Sequence, residues 1–448
     1  MSEQGQAHLK RSLGLRSLVL FGLAYLAPIV VFLTFGVLDQ KSDGTVAGSY
    51  LAATLAVLFT AYSYGRMVSL HPVAGSAYSY VRRVFNAHLG FLVGWAVLLD
   101  YFFLPMVAWL IGTAYLSAAL PDVPSWIWVL AFIALTTGVN ILGVHFADKV
   151  TFILVAFQVL VVAAFAALCA RFVWIAQGPG GLLSYEPFFQ PGVPLSATLA
   201  GGAIAAFAFL GFDAVSTMAE ETHEPRKTIP RAIFLVAAIG GTIFVVASYL
   251  AQLANPGTSF ENVDAASFAL AAKVGNDLFV TIFLVALVIA QFSAGLSCQA
   301  ATGRLLYAMG RDGVLPRAFF AKINARFHTP QNCLLLTGAV GLLALFLNEE
   351  SSTSFINFGA FTAFSFVNLC VIATYLSGNT GGAKGGILLW VVVPAIGAVF
   401  NLWLLASLDW QALTVGGIWL VLGFTYLALL TRGFRKPPPE MHMEKEAL

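Results

Sequence analysis

Twelve apolar runs divide this sequence, each near the roughly 20 residues that an α-helix needs to cross a bilayer. They fall at 17–38, 49–68, 89–120, 126–142, 150–170, 195–218, 232–253, 278–301, 332–347, 355–376, 387–406 and 413–431. A segment in lipid must satisfy its backbone hydrogen bonds internally, and an α-helix does so on its own. The runs therefore predict an all-α integral membrane protein with 12 transmembrane helices. Composition agrees. Of the 448 residues, 59% are hydrophobic and only 10% charged, whereas soluble domains run at about a quarter charged. No water-soluble fold hides that much apolar surface. The run at 89–120 exceeds one crossing, which predicts a tilted helix.

Twelve crossings return the chain to its starting side, and the basic residues sort accordingly. Twenty of the 23 Lys and Arg, from Lys10, Arg11 and Arg16 through Lys149, Arg304 and Lys384 to Lys445, fall on the N-terminal side. Only Lys41, Arg171 and Lys273 lie opposite. The positive-inside rule then places both termini in the cytoplasm. The opposite side carries ten acids, Asp39, Asp43, Asp122, Glu186, Glu261, Asp264, Asp277, Glu349, Glu350 and Asp409. Depletion of bases by the same rule is one account of that excess; a mouth that concentrates a cationic solute is the other. The net charge of +2 offers nothing to nucleic acid. The first 16 residues are polar and basic with no cleavable site before the first run, so that run is expected to remain as a helix. Cys169, Cys298, Cys333 and Cys370 are far apart and lack CxxC spacing, so neither a disulfide framework nor a metal site is indicated, and no cofactor is called for.

Two runs carry interruptions. The first contains Gly22-Leu23-Ala24-Tyr25-Leu26-Ala27-Pro28, where proline removes a backbone bond and glycine adds freedom. The sixth contains Gly201-Gly202 and then Leu210-Gly211-Phe212-Asp213. Breaks in corresponding positions of two halves point to an inverted-repeat transporter that binds its solute at the breaks. Two carboxylates, Asp100 and Asp213, fall well inside spans, where a charge is expensive and commonly functional. Asp213, Ser216, Thr217 and Glu220 follow i, i+3, i+4, i+7 spacing and predict one polar stripe on an α-helix. Tyr25, and Tyr101 next to Asp100, offer ring faces or hydroxyls to a cation; Phe209 and Phe212 flank the second break and can close over a solute. Gln291, Ser293, Ser297, Asn357 and Asn368 either line a cavity or pair helices. Intramembrane hydrolysis finds no support: there is no GxGD, HExxH or GxSxG pattern, and no filter-like repeat suggests a channel.

Three segments resemble the amino acid–polyamine–organocation superfamily. They are Pro72-Val73-Ala74-Gly75-Ser76-Ala77-Tyr78-Ser79-Tyr80; Gly211-Phe212-Asp213-Ala214-Val215-Ser216-Thr217-Met218-Ala219-Glu220-Glu221 followed by Pro225-Arg226-Lys227-Thr228-Ile229-Pro230-Arg231; and the segment from Arg304 through Tyr307, Gly310 and Arg311 to Asp312-Gly313-Val314-Leu315-Pro316. Gly22–Pro28, Ser42-Asp43-Gly44, Gly94-Trp95 with Leu98-Leu99-Asp100-Tyr101, and the stretch from Phe355 to Ala360 look like the branch made up of bacterial putrescine importers. The resemblance implies a LeuT-type fold with discontinuous first and sixth helices. Residues 1–16 would be a cytoplasmic segment, 17–176 and 177–377 a 5+5 inverted repeat, 378–431 two appended helices and 432–448 a cytoplasmic tail. It also implies ion-driven uptake across a bacterial inner membrane.

One departure bears on cargo. Amino-acid members carry a small, glycine-rich segment such as GSGIF at the first break, whose free amides hold the substrate carboxylate. Here Leu23, Tyr25 and Pro28 stand there. A solute without a carboxylate fits better, and two midplane acids suit a diamine. The expected function is import of putrescine or a related polyamine, with a neutral or cationic amino acid symporter as the alternative. Expected substrate-binding residues are Gly22, Ala24, Tyr25, Asp100, Tyr101, Phe209, Phe212 and Asp213. For a proton, the coupling candidates are Asp100, Asp213 and Glu220; for sodium, Ser293 or Ser297 with carbonyls at the first break.

Overall fold

The computed structural model describes residues 11–439 except 74, 258–259, 261–265, 348, 383–384 and 409, with backbone alone at 144–146 and 349–355. Lys10, Lys384, Lys445, Glu261, Asp264 and Asp409 from the charge split lie outside the described residues. Within those residues the chain is helical, and its one extended pairing is an isolated bridge between Leu13 and Thr222. Ten helical stretches among them are long and apolar enough to cross a membrane, and two shorter apolar helices cover Ser125–Ile141 and Gln331–Leu345.

The first break forms where proline dictates it. Helix α1 (Leu15–Leu26) stops at Ala27, which takes φ +52°, because Pro28 donates no N–H and its ring crowds the preceding turn. The chain resumes as a 3₁₀ turn, Pro28–Phe32, and then α2 (Phe35–Lys41). Helices α3 (Val46–Leu70), α4 (Ser76–Val84), α5 (Ala87–Ala119), α6 (Ser125–Ile141) and α7 (Val144–Gln177) follow.

The second break is built on glycine. Helix α8 (Leu195–Ala205) tightens into a 3₁₀ turn at Ala206–Phe209, the chain bends at Gly211 with φ +103°, and a further 3₁₀ helix runs over Asp213–Glu221. Only glycine takes that φ at little cost, and a Cβ there would fall inside the Tyr25 ring. The two breaks therefore face each other through Tyr25 and Gly211. The expected polar stripe fails here. A 3₁₀ helix repeats every three residues, so Asp213 and Ser216 share a face while Thr217 and Glu220 turn to another.

Helices α9 (Pro225–Ala254), α10 (Ala266–Val274), α11 (Asp277–Arg311), α12 (Arg317–Phe320), α13 (Gln331–Gly341), α14 (Glu349–Leu376), α15 (Val393–Ala406) and α16 (Trp410–Leu430) complete the chain. Helix α3 packs along α9, and α5 packs against both α11 and α14. Small residues permit these approaches: Gly241 seats Thr54, and Gly359 lies against the α5 backbone at Ala96 and Asp100. Helix α16 is pinned to α5 by a reciprocal pair. Trp95 Nε1 donates to Trp419 O at 2.8 Å, Trp419 Nε1 donates to Trp95 O at 2.6 Å, and the stacked rings stand 5.0 Å apart.

Candidate functional site

Where the breaks meet, α5 brings its two polar midspan residues alongside. Tyr101 Oη donates to Asp213 Oδ2 at 2.7 Å, and Tyr64 Oη of α3 reaches the same oxygen at 3.4 Å. The Tyr25 and Tyr101 rings lie 6.4 Å apart. Thr302 on α11 donates to the Tyr101 carbonyl, which fixes that turn of α5. Asp100 and Asp213 are each 1% exposed. Both Asp100 oxygens, Asp213 Oδ1 and Tyr25 Oη lack a hydrogen-bond partner among the described residues. None of the salt bridges among those residues involves either acid. Each acid lies within electrostatic reach of the other and of Tyr25. The site is thus a buried, acidic, tyrosine-walled cluster with several open acceptors and no cation paired to it among the described residues.

The other expected contact residues sit differently. Gly22 is a packing glycine, where a Cβ would strike Val236 and Val215. Ala24 turns toward α7 and packs with Leu23 near Val155. Phe209 meets Phe244 edge-on at 5.1 Å. Phe212 lies between Tyr64 and Phe364, at 5.8 and 5.0 Å. The two phenylalanines are buried walls of the second break. Asn368 pairs helices, accepting from Ser63 Oγ at 2.6 Å and donating to Thr60 Oγ1 at 3.1 Å.

Glu220, the third proton-coupling candidate, is placed in an ion pair. It stands at the N-terminal end of the bundle, only partly buried, and accepts from Arg311 Nη1 at 2.6 Å. Ser293 and Ser297 are buried with unpartnered hydroxyls among the described residues.

Two cavities lie in this half of the fold, of which one touches the cluster through Tyr25. One is largely apolar, lined by Tyr25, Ala27, Ile111, Leu210, Gln291 and Cys298 among others. Asp100 and Asp213 are not among its lining residues. The second opens toward the N-terminal end and is lined by Ser17, Asn140, Asp148, Ser297 and Arg304 among others. The neighbours Ser297 and Cys298 on α11 thus each face a different cavity.

The N-terminal end is latched. Arg304 and Glu221, both buried, pair at 2.5 Å, and Arg304 Nη2 reaches the other Glu221 oxygen at 3.2 Å. The amides of Ser12 and Leu13 donate to Glu221 O at 2.8 and 2.9 Å, and His223 N donates back to Leu13 O at 3.0 Å. Tyr78 Oη on α4 donates to Asp312 Oδ2 at 2.9 Å and accepts from Arg82 Nη1 at 2.8 Å. Burial pushes the Asp312 carboxyl above its ordinary range, with Tyr78 and Arg311 opposing. Tyr64, Thr302 and the Arg304–Glu221 pair did not emerge from the sequence. Their only signal there is a polar group inside an apolar or basic motif.

Comparison with known proteins supplies independent findings. The amino acid permease family model matches residues 17–383. The low-affinity putrescine importer PlaP of Escherichia coli (strain K12) is 36% identical over 437 residues, spanning 97% of each chain. The methylthioribose transporter of Bacillus subtilis (strain 168) is 28% identical over 446 residues, 95% of this chain and 94% of that protein. The branched-chain amino acid permease BcaP of the same organism is 25% identical over 458 residues, 96% of this chain and 95% of that protein.

Proposed function

Because the chain belongs to the amino acid permease family, within the amino acid–polyamine–organocation superfamily of membrane transporters, we propose that it imports putrescine or a related polyamine across the bacterial inner membrane by alternating access, coupled to protons. In this reading the ten long helical stretches and the two shorter apolar ones make twelve spans. Residues 17–176 and 177–377 form the inverted repeats, with 378–431 appended, and both termini are cytoplasmic.

The observation that carries the reading is the unpaired acidic cluster. Asp100 and Asp213 leave three buried carboxylate oxygens without a donor among the described residues. Buried carboxylates in that condition are strongly disfavoured, and an ammonium group supplies three donors and the missing charge. The rings of Tyr25 and Tyr101 add cation–π surface, and the adjoining apolar cavity suits a methylene chain. The first break is meanwhile a poor carboxylate nest. The Ala27 N–H is already given to Leu23 O at 2.9 Å, and Pro28 has none. The name of the E. coli relative agrees with a diamine cargo.

The similarity to BcaP favours a second reading, a symporter of neutral or cationic amino acids. Uptake of labelled putrescine into proteoliposomes with an acidic exterior separates the two. Putrescine uptake is expected, abolished by collapsing the proton gradient and insensitive to replacing sodium. Asp100→Asn and Asp213→Asn are each expected to lower uptake per folded protein roughly tenfold or more, the loss that follows when a buried charge partner is removed. Robust alanine or arginine uptake without putrescine uptake would overturn the diamine reading. Uptake that follows sodium instead would return Ser293 and Ser297 to consideration as coupling residues.

A further inference from the structure

Asp39 has no role in the reading above. It lies on α2, beyond the first span, and is 1% exposed. No cation and no backbone N–H meets its carboxylate oxygens among the described residues, and its one polar side-chain neighbour is the Gln252 amide. Two further buried acceptors stand open beside it. Ser42 Oγ is three residues on, hence on the same face of the helix end, and Gln252 Oε1 belongs to a side chain that faces Asp39 from α9.

The place is a junction between the far halves of the two broken helices. Thr45 Oγ1 and Thr198 Oγ1 share a hydrogen bond at 2.8 Å, and Ser49 Oγ donates to Thr198 O at 2.9 Å. Ser42 Cβ lies 2.9 Å from where a Cβ on Gly201 would stand, so α8 presents glycine there. The turn after α2 is tied down as well. Gly44 N donates to Asp39 O, and Gln190 Nε2 donates to Gly44 O, both at 3.0 Å.

No cation among the described residues pairs with Asp39. On its own element Lys41 is exposed, and so is Asp43 in the turn that follows. Helix α8 and the 3₁₀ turn Pro28–Phe32 carry no titratable group. The near end of α3 offers Tyr50, whose hydroxyl is paired with Thr34 at 2.9 Å. On α9 Tyr249 donates to Leu182 O, and on α10 Lys273 donates to Asn255 Oδ1. Glu186, in the loop before α8, is exposed.

We propose that Asp39 is a proton-binding site built into this junction, protonated while α2 and α8 are packed together and ionised when they part and water reaches it. The proton comes from water on that face and returns to it. A carboxylic acid donates where a carboxylate only accepts, so the proton can serve Ser42 Oγ, whereas the Gln252 amide favours the anion. Burial pushes the Asp39 carboxyl up to about 6, with the Gln252 side chain opposing, whereas a solvated Asp titrates near ~3.9. The sign follows. The packed junction holds its full stability below ~3.9 and loses it as pH rises through about 6. Closing therefore takes up a proton. Its part in transport rests on the coupled-import reading; its chemistry does not.

The test uses Leu38→Cys, a buried position on α2, in the purified full-length protein, whose four native cysteines are buried. Labelling by a membrane-impermeant maleimide is compared with that of Leu38→Cys/Asp39→Asn at each pH, so that thiol ionisation cancels. The Asp39 protein is expected to label at most a few-fold faster at about pH 4.5 and roughly tenfold or more faster at about pH 7.5; a shift of about two units allows up to ~100-fold. Gln252→Leu removes the side chain that steadies the anion, so it should move the midpoint upward, and it carries the test where Asp39→Asn does not fold. A ratio that stays flat with pH, or one that follows sodium at fixed pH, overturns the proposal. No transported solute enters this assay, so a failure of diamine uptake leaves its result standing.

Discussion

At the N-terminal end the broken helices are held by charge: Arg304 grips Glu221, Arg311 grips Glu220, and residues 12–13 pair with the chain at 221–223. At the opposite end the contacts are hydroxyl bonds and close packing, Thr45 with Thr198, Ser49 with the Thr198 carbonyl, and Ser42 over Gly201. That end has no salt bridge among the described residues, and its one buried acid stands alone. The difference is one of reversibility. A buried ion pair loses heavily if only one partner is rehydrated, so on the alternating-access reading the first end would open as a unit. Neutral hydrogen bonds are each worth about 0.5–1.5 kcal/mol net, so on the same reading the second end would separate stepwise.

The largest effect is expected from Arg304→Met. It leaves Glu221 buried without its partner and should cost about 3–5 kcal/mol, read as a large fall in Tm. The double variant Arg304→Met/Glu221→Leu should recover most of that loss, and equal instability of single and double would break the contrast. Next is Gly201→Ala at the other end, where the new methyl meets Ser42 Cβ at 2.9 Å. Overpacking of that kind costs about 1–3 kcal/mol, visible as a smaller fall in Tm. Thr198→Val should have the least effect, about 0.5–1.5 kcal/mol, because it deletes one hydroxyl bond and leaves the carbonyl that Ser49 uses. A loss as large as that of Arg304→Met would mean that the second end is also a single cooperative latch.

The long apolar helices and both interruptions could be read from the sequence because their causes are local: apolar length, the missing N–H of Pro28, the backbone freedom of Gly211. What joins distant residues could not be read in this way. Tyr101 and Asp213 are 112 positions apart, and nothing in either neighbourhood names the other. The stripe from Asp213 to Glu220 failed because it assumed 3.6 residues per turn, whereas the segment winds at three beside the packed Tyr25 ring. Gly22 and Ala24 were expected at the solute because they belong to the first break; the packing of Gly22 on Val236 and of Ala24 near Val155 joins residues too distant in sequence to be foreseen. Asp39 was passed over as one more charge after an apolar run; only its burial among Ser42, Gln252 and α8 distinguishes it.

The indole pair joining α5 and α16 has a use unrelated to its strength. Trp95 and Trp419 stack at 5.0 Å with their planes 22° apart, close enough for their electronic transitions to mix. The exciton couplet this predicts in the far-ultraviolet circular dichroism, isolated as the difference from Trp419→Phe, would mark the α5–α16 contact. It needs no label, and it can follow whether the last helix keeps its seat while the broken helices rearrange.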